Sequence, residues 1–412
     1  MFDVVVIGSG AGGSTVAHSL TKKGFRVVLL EKGFLFDPSS QPPPYSNIPG
    51  DVEVMRATCL GGSTVVSLGN VVQPSALDDL LRWLGVGRDV VEFALKLLNP
   101  QRPTLESLSR GSKAFAEACL KRGLEPKLML KHIDYGKCVK CGMCSLGCKF
   151  SAKWDASKLV GEARYQGLTV LEGFDAKSIT CAREGFKVEG LWKGSRYNIK
   201  GRVVVIACGA VETPNLIRTL KSPPQGVGES LFVDPFVTVG GLLKSSSLNN
   251  DVSMSLYVER EGYMLSPHFS QALYKAIAER FPGAGPSDIV GIMVKVADEG
   301  AGHVDERGGV VAKLSKRDRS ILERGVEEAK ELLSTCGVEE NTITTTRIRG
   351  AHPGGTAALG RVVDRDMQVK GCEGVFVADS SLLKPPLGMP PILTIMALAL
   401  ACSTKIEEYF VG

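Results

Sequence analysis

Three groups of residues have types and spacings that could do chemistry. The first is Gly8-x-Gly10-x-x-Gly13, preceded by the apolar run Asp3–Ile7 and followed by a helical pattern over 14–23. A second apolar run, Phe25–Leu30, ends at an acid, Glu31, 18 residues beyond Gly13. In this context the first glycine permits a tight turn, the second lets the backbone approach a pyrophosphate, and the third allows close helix–strand packing. The phosphates then meet unpaired N–H groups at a helix N-terminus, and Glu31 is placed to accept from ribose hydroxyls. The motif implies a dinucleotide without separating FAD from NAD. The second group is Cys138-x2-Cys141-x2-Cys144-x3-Cys148, the spacing of a bacterial-type ferredoxin ligand run. It predicts a [4Fe–4S] cluster on Cys138, Cys141, Cys144 and Cys148, with Gly142 and Gly147 permitting the turns. Lys149 replaces the usual proline. The fourth cysteine of such a run serves the other cluster in two-cluster ferredoxins and only one run exists here, so Cys59 or Cys119 is an alternative fourth ligand. Zinc on four thiolates and purely structural thiols are the other readings. The third group is His352-Pro-Gly-Gly-Thr356. Its histidine can take or give a proton near neutrality, and its glycines suggest backbone packed closely beneath a ligand.

The elements that must position these groups read as α/β. Arg202–Cys208 is a short β-branched run, hence a buried strand, and Thr213-Pro214 is expected to start a helix. Helices are expected near 76–85 and 105–122, flanking a Gly/Pro-containing linker, near Ser157, and over 316–335. Strand-like segments fall at 236–243, 252–258 and 290–296, with 316–335 the one clear helix of that region. A long excursion over 32–58 follows the first unit. The expected architecture is a parallel sheet assembled from discontinuous chain, interrupted by a mostly antiparallel region. The expected division is a dinucleotide-binding domain of 1–74, 136–227 and 349–412 with the cysteine insert at 136–155. A helical insert occupies 75–135 and a substrate domain 228–348.

The 412 residues are 44% hydrophobic and 23% charged, ordinary for a globular enzyme. A net charge of +5 without a Lys/Arg stripe gives no sign of nucleic-acid binding. Met1-Phe2 runs straight into the first strand, leaving no room for a signal peptide. The longest apolar stretch, Ile392–Cys402, is about half a membrane span and reads as a buried helix. The expected location is therefore the cytoplasm, where a cluster among 11 cysteines reads as metal ligation before disulfides.

Further motifs stand in a recognisable order. Leu60-Gly-Gly-Ser-Thr64, Gly209-Ala-Val-Glu-Thr-Pro-Asn-Leu-Ile217 and Val227-Gly-Glu-Ser-Leu-Phe-Val-Asp-Pro235 are followed by His352–Gly360, Gly374–Ser380 and Pro391–Ala397. Together they resemble the glucose–methanol–choline (GMC) oxidoreductases over most of the chain. The resemblance implies a Rossmann-like FAD domain and a smaller substrate domain covering the flavin. It implies oxidation of an alcohol or hydroxy acid, with His352 as the base and hydride passing to FAD. Gly8, Gly10, Ala11, Gly13, Glu31 and Lys32 would then hold the ADP half. Gly62, Ser63 and Thr64 would lie beside the isoalloxazine and pyrophosphate. Ala210 would meet the adenine side, Ala378 and Asp379 the pyrophosphate and ribityl chain, and Pro391 the pyrimidine end. Three departures stand out: proline at 390 where the family carries the second member of its catalytic pair, Ser67 in place of asparagine, and a shortened substrate segment. That segment predicts an open pocket or a partner subunit completing it, and shows no cluster of charges that names a substrate. A cluster beside flavin favours a dehydrogenase passing electrons to a ferredoxin-like protein acceptor. The alternatives are an oxygen-using oxidase with structural cysteines, a ferredoxin-driven reductase and an electron-relay subunit.

Overall fold

The computed structural model describes residues 1–411. Its organising feature is a sheet whose parallel core comes from distant parts of the chain. Strand β1 (Phe2–Ile7) leads through helix α1 (Ala11–Lys22) into β2 (Val27–Glu31). Strand β3 (Thr169–Glu172) pairs parallel with β2, and the distal half of β4 (Ser195–Ile206) pairs parallel with β1. Val375–Val377 adds to the other edge of β4. These strands are almost wholly Val, Ile and Leu because both faces are covered, with α1 on one face against the C-terminal helix Ile392–Val411. The N-terminal half of β4 turns back as the edge of an antiparallel extension with Phe186–Trp192 and Phe174–Cys181.

Helix α2 (Gly209–Ile217) follows β4 and begins earlier than Thr213-Pro214 suggested, with Pro214 inside it. The missing proline N–H would have donated to the Ala210 carbonyl. That oxygen instead accepts from the Thr356 hydroxyl at 2.6 Å, so the helix passes through the proline without an orphaned acceptor.

The second sheet is antiparallel at its centre. Strand β5 (Pro235–Leu242) pairs with β7 (Ile289–Val296), which pairs with β6 (Tyr263–Pro267), and that strand with Leu256–Arg260. Short edge pieces from Glu53–Val54 and Lys127–Leu128 join it. Helix Lys316–Thr335 covers one face, starting where the sequence placed it, on a capping box of Ser315 and Asp318. The strand expected over 252–258 begins only at Leu256, because 252–255 is a buried turn. Two helices were missed. The expected linker contains Asp89–Leu98, which packs on the C-terminal helix through Val90, Val91, Ala94 and Leu98. Gln271–Arg280 buries only Leu273 and Ile277, too sparse a stripe to read against its charged neighbours. Among the described residues no helix is long and apolar enough to cross a membrane.

Candidate active site

The carboxyl ends of β1, β2 and β4 open onto one cavity of about 1200 Å³ that runs beneath the second sheet. At one end lies the glycine turn. Gly8 has φ of +98°, Gly13 packs its α-carbon against the Gly8 carbonyl, and a Cβ there would stand 1.9 Å from that oxygen. Gly12, not singled out in the fingerprint, is tighter still, since a Cβ would fall 1.7 Å from the Ala378 carbonyl oxygen. Gly10 is the opposite case: nothing lies within 4 Å of where its Cβ would be, on the cavity side of the α1 N-terminus. Two glycines therefore hold helix to sheet, and one leaves space for a ligand.

Glu31 closes β2 as expected, and it is buried. One oxygen accepts from Ser9 N at 3.0 Å and Ser9 Oγ at 2.5 Å, the other from Gly33 N at 2.7 Å. Burial pushes its carboxyl up despite these bonds. A carboxylate offers roughly four acceptor sites, so capacity for a ribose hydroxyl remains. Lys32 lines the same end. Gly62, Ser63 and Thr64 form a single 3₁₀ turn that packs beside Gly10, a Cβ on Gly62 falling 3.1 Å from the Gly10 α-carbon. That turn hangs on a fully buried lysine: Lys153 Nζ donates to the Val65 carbonyl at 2.6 Å, to Ser67 at 2.8 Å and to Thr64 at 3.3 Å. Ala11, Ala210, Asp379 and Pro391 also line the cavity. Gly13 and Ala378 lie behind the lining and support it. Asp379 caps a 3₁₀ turn through Ser381 N at 2.8 Å, and its other oxygen ties α2 down through Gly209 N at 2.8 Å and Thr213 Oγ1 at 2.5 Å. The open space at Gly10, the free N–H groups of α1 and the cavity's length fit a dinucleotide such as FAD.

The other end of the cavity contains His352, with about a quarter of its side chain open to the space. Its Nδ1 is 2.9 Å from Asp234 Oδ2. Asp234 is fully buried and its other oxygen accepts from Gly388 N at 2.9 Å. Donation from Nδ1 to this carboxylate fixes the tautomer in which Nε2 carries the lone pair. Burial lowers the affinity of His352 for a proton, nearby Lys295 lowers it further, and Asp234 opposes both. The ring is thus a neutral acceptor at neutral pH. Pro390 lines the cavity here and offers no side-chain hydrogen bond. Asp234 and Lys295 are not among the residues singled out from the sequence, although each leaves a signal there. Asp234 sits in the Val-Asp-Pro motif, and Lys295 is the single charge in the apolar strand Ile289–Val296. His132, His268 and Arg349 also reach this end.

The cysteine run behaves differently. Cys138, Cys141, Cys144 and Cys148 do line one small cavity, but its volume is about 20 Å³, close to that of one water. Among the described residues no group of three or more His, Cys, Asp or Glu is arranged to hold a metal ion. The expected metal centre is therefore not supported. Burial pushes the Cys138 and Cys144 thiols up. Cys59 and Cys119 are buried elsewhere and do not line that cavity.

With this geometry in place, comparison with known proteins is direct. Family models described as GMC oxidoreductase match residues 2–235 and 309–399. An uncharacterised protein of Methanocaldococcus jannaschii is 34% identical over 97% of this chain and 98% of its own length. A long-chain-alcohol oxidase of Arabidopsis thaliana is 23% identical over 98% of this chain and 68% of its own. The solved structure of pyridoxine 4-oxidase from Mesorbium loti shares the fold with a TM-score of 0.74 at 15% identity, each chain covered completely.

Proposed function

The chain belongs to the GMC oxidoreductase family, and on that premise we propose that it oxidises the carbinol of a small alcohol or hydroxy acid with His352 as base. It is an FAD-dependent oxidoreductase. The α1 N-terminus at Gly10 and Ala11, Glu31, Lys32, the turn 62–64, Ala210, Asp379 and Pro391 would hold FAD, which supplies the two-electron acceptor for a hydride. The observation carrying the proposal is the 2.9 Å contact between His352 Nδ1 and Asp234. It leaves Nε2 free to accept a hydroxyl proton, and the buried carboxylate stabilises the imidazolium that forms. The names of the Arabidopsis alcohol oxidase and of pyridoxine 4-oxidase are in keeping with this chemistry.

The test is anaerobic mixing of the purified flavoprotein with a panel of alcohols and hydroxy acids. In His352→Ala, substrate-driven bleaching of the flavin should slow by at least about 10²-fold with flavin content unaltered. Bleaching at the parental rate would remove His352 from the reaction. Flavin that responds to reduced ferredoxin and to no alcohol would identify a reductase instead.

A second reading concerns the exit of the electrons. The four thiols of 138–148 share one cavity, Lys131 and Lys153 are buried where their charge acts on Cys144, and Val139, Met143, Leu146 and Phe150 are exposed on the same loop. A cluster there, feeding a protein acceptor, requires the cavity to expand around it. Iron and acid-labile sulfide, measured per flavin on protein purified without oxygen, decide the matter. About four of each supports the relay. None of either, with peroxide released on turnover, assigns the electrons to oxygen and the thiols to structure.

A further inference from the structure

Three lysines are almost fully buried: Lys131, Lys153 and Lys295. Two of them are fully engaged. Lys153 holds three carbonyls, and Lys131 donates to the Leu68 carbonyl at 3.1 Å, the Ser253 carbonyl at 2.6 Å and the Asn70 side chain. Lys295, 2% exposed, has no hydrogen-bond partner. Its only carboxylate neighbour is Asp234 Oδ2, 4.0 Å away and already occupied by His352. Asp234 therefore balances the charge of the ammonium without satisfying its N–H groups. A buried charge left in this state is costly, and the fold bears it on a strand whose other residues are Val, Ile, Met and Gly.

The residue lines the reaction end of the cavity, with its Nζ just behind the wall and shielded from that space. Residues of β5 and β7 with the same sheet polarity, Phe236, Thr238 and Met293, line that end with it. Arg349 is also there, paired in register with Phe236, its Nε without a hydrogen-bond partner and 3.7 Å from Glu53. The reaction end thus presents two cations with unused donors.

We propose that Lys295 is the substrate-recognition residue, and that the substrate is a hydroxy acid whose carboxylate sits on the carbon beside the carbinol. The proximity follows from geometry: His352 and Lys295 both approach the same Asp234 oxygen, so the proton acceptor and the ammonium are neighbours. An anionic group at the far end of a long chain would not reach Lys295 while its hydroxyl met His352. A 2-hydroxy carboxylate spans such a pair, and Arg349 adds positive potential along its approach. This rests on His352 being the base, and the two are separable by experiment.

The experiment is calorimetric titration of the flavoprotein with oxalate, which has the vicinal oxygens of a 2-hydroxy acid and no C–H bond to oxidise, and with 1-butanol as a neutral probe. Oxalate should bind to the parent and to His352→Ala. Its affinity should fall about tenfold to a hundredfold in Lys295→Met and recover in part in Lys295→Arg, with 1-butanol binding unaffected by either Lys295 substitution. Lys295→Met leaves the buried Asp234 carboxylate without its balancing charge and should melt below the parent, whereas Lys295→Arg keeps that charge and is the folded control. If Lys295→Met is poorly folded, Lys295→Gln serves the same titration. Oxalate binding that is equal in the parent and Lys295→Met, or a parent that binds 1-butanol and not oxalate, overturns the proposal. Loss of turnover in His352→Ala with oxalate binding intact supports both assignments, whereas retained turnover with intact binding rejects the base and leaves Lys295 standing.

Discussion

Replacing Gly10 by alanine separates ligand space from packing space. Gly10 has φ −65° and ψ −171°, a conformation open to any residue, and an added Cβ meets nothing within 4 Å. In the folded chain without flavin the substitution should cost nothing, and the reduced freedom of the unfolded chain should contribute about 0.4–1 kcal/mol, a rise of roughly 1–3 °C. With flavin the methyl group stands between the pyrophosphate and the α1 N–H groups. Losing two charge-assisted hydrogen bonds removes about 3–6 kcal/mol of binding, or roughly 10²–10⁴ in Kd. The assay is thermal melting with and without added FAD, together with the flavin-to-protein ratio on purification. Added FAD should raise the parental melting temperature and leave that of Gly10→Ala unchanged. Gly12→Ala is the contrast, since its Cβ would meet the Ala378 oxygen at 1.7 Å and force α1 off the 378–379 turn, destabilising the fold with or without flavin. If Gly10→Ala retained flavin at the parental ratio, the assignment of this space to the pyrophosphate would be refuted.

Two predictions concern pH. Because burial and Lys295 hold His352 below its ordinary value, with Asp234 opposing, the acid limb of kcat/KM should fall below pH ~6.5. In Asp234→Asn that limb should move lower still, with kcat reduced at least about tenfold; a limb moving upward would show that Asp234 does not act on the ring. Asp298 accepts from Val233 N and Asp234 N, and its carboxyl is pushed up to about 7, chiefly by burial and then by Asp234. A raised carboxyl contributes stability that is full below the unfolded value near 4 and lost as pH rises through about 7. Melting temperature followed from pH 4 to 9 should therefore decline more in the parent than in Asp298→Asn, and parallel curves would contradict the assignment.

What was legible in the sequence was local. The glycine turn, Glu31 and the 62–64 turn lie in short motifs whose neighbours in sequence are also neighbours in space, and helix 316–335 announces itself with a capping box. The partner of His352 was not legible in this way, because Asp234 and His352 are 118 residues apart and meet only when β5 enters the second sheet. Lys295 was concealed by its strand: an apolar run with one lysine reads as an edge position, whereas β7 lies between β5 and β6 and buries both faces. The cysteine spacing did not by itself settle the role of the thiols, for the converse reason. Spacing fixes how far apart four thiols can stand, but the room left among them is set by the packing of 133–153 against 251–252, which no motif encodes.

The cavity's buried acids share a property that bears on what it holds. Glu31 is engaged by Ser9 and Gly33, Asp379 by Gly209, Thr213 and Ser381, and Asp234 by Gly388 and His352. Each carboxylate is already bonded to two or more donors of the protein, and each thereby fixes an element of the wall. Donors left unused include the N-terminal N–H groups of α1 at one end, and Lys295, Arg349, Ser67 and His132 at the other. Glu31 keeps capacity for a ribose hydroxyl and His352 Nε2 stays open as an acceptor, and beside them the unpaired donors at both ends favour negative charge at both ends. At the glycine end that charge is the pyrophosphate of a dinucleotide. At the histidine end the same logic favours the anionic substrate proposed above, since a neutral alcohol would leave the Lys295 ammonium as unsatisfied after binding as before.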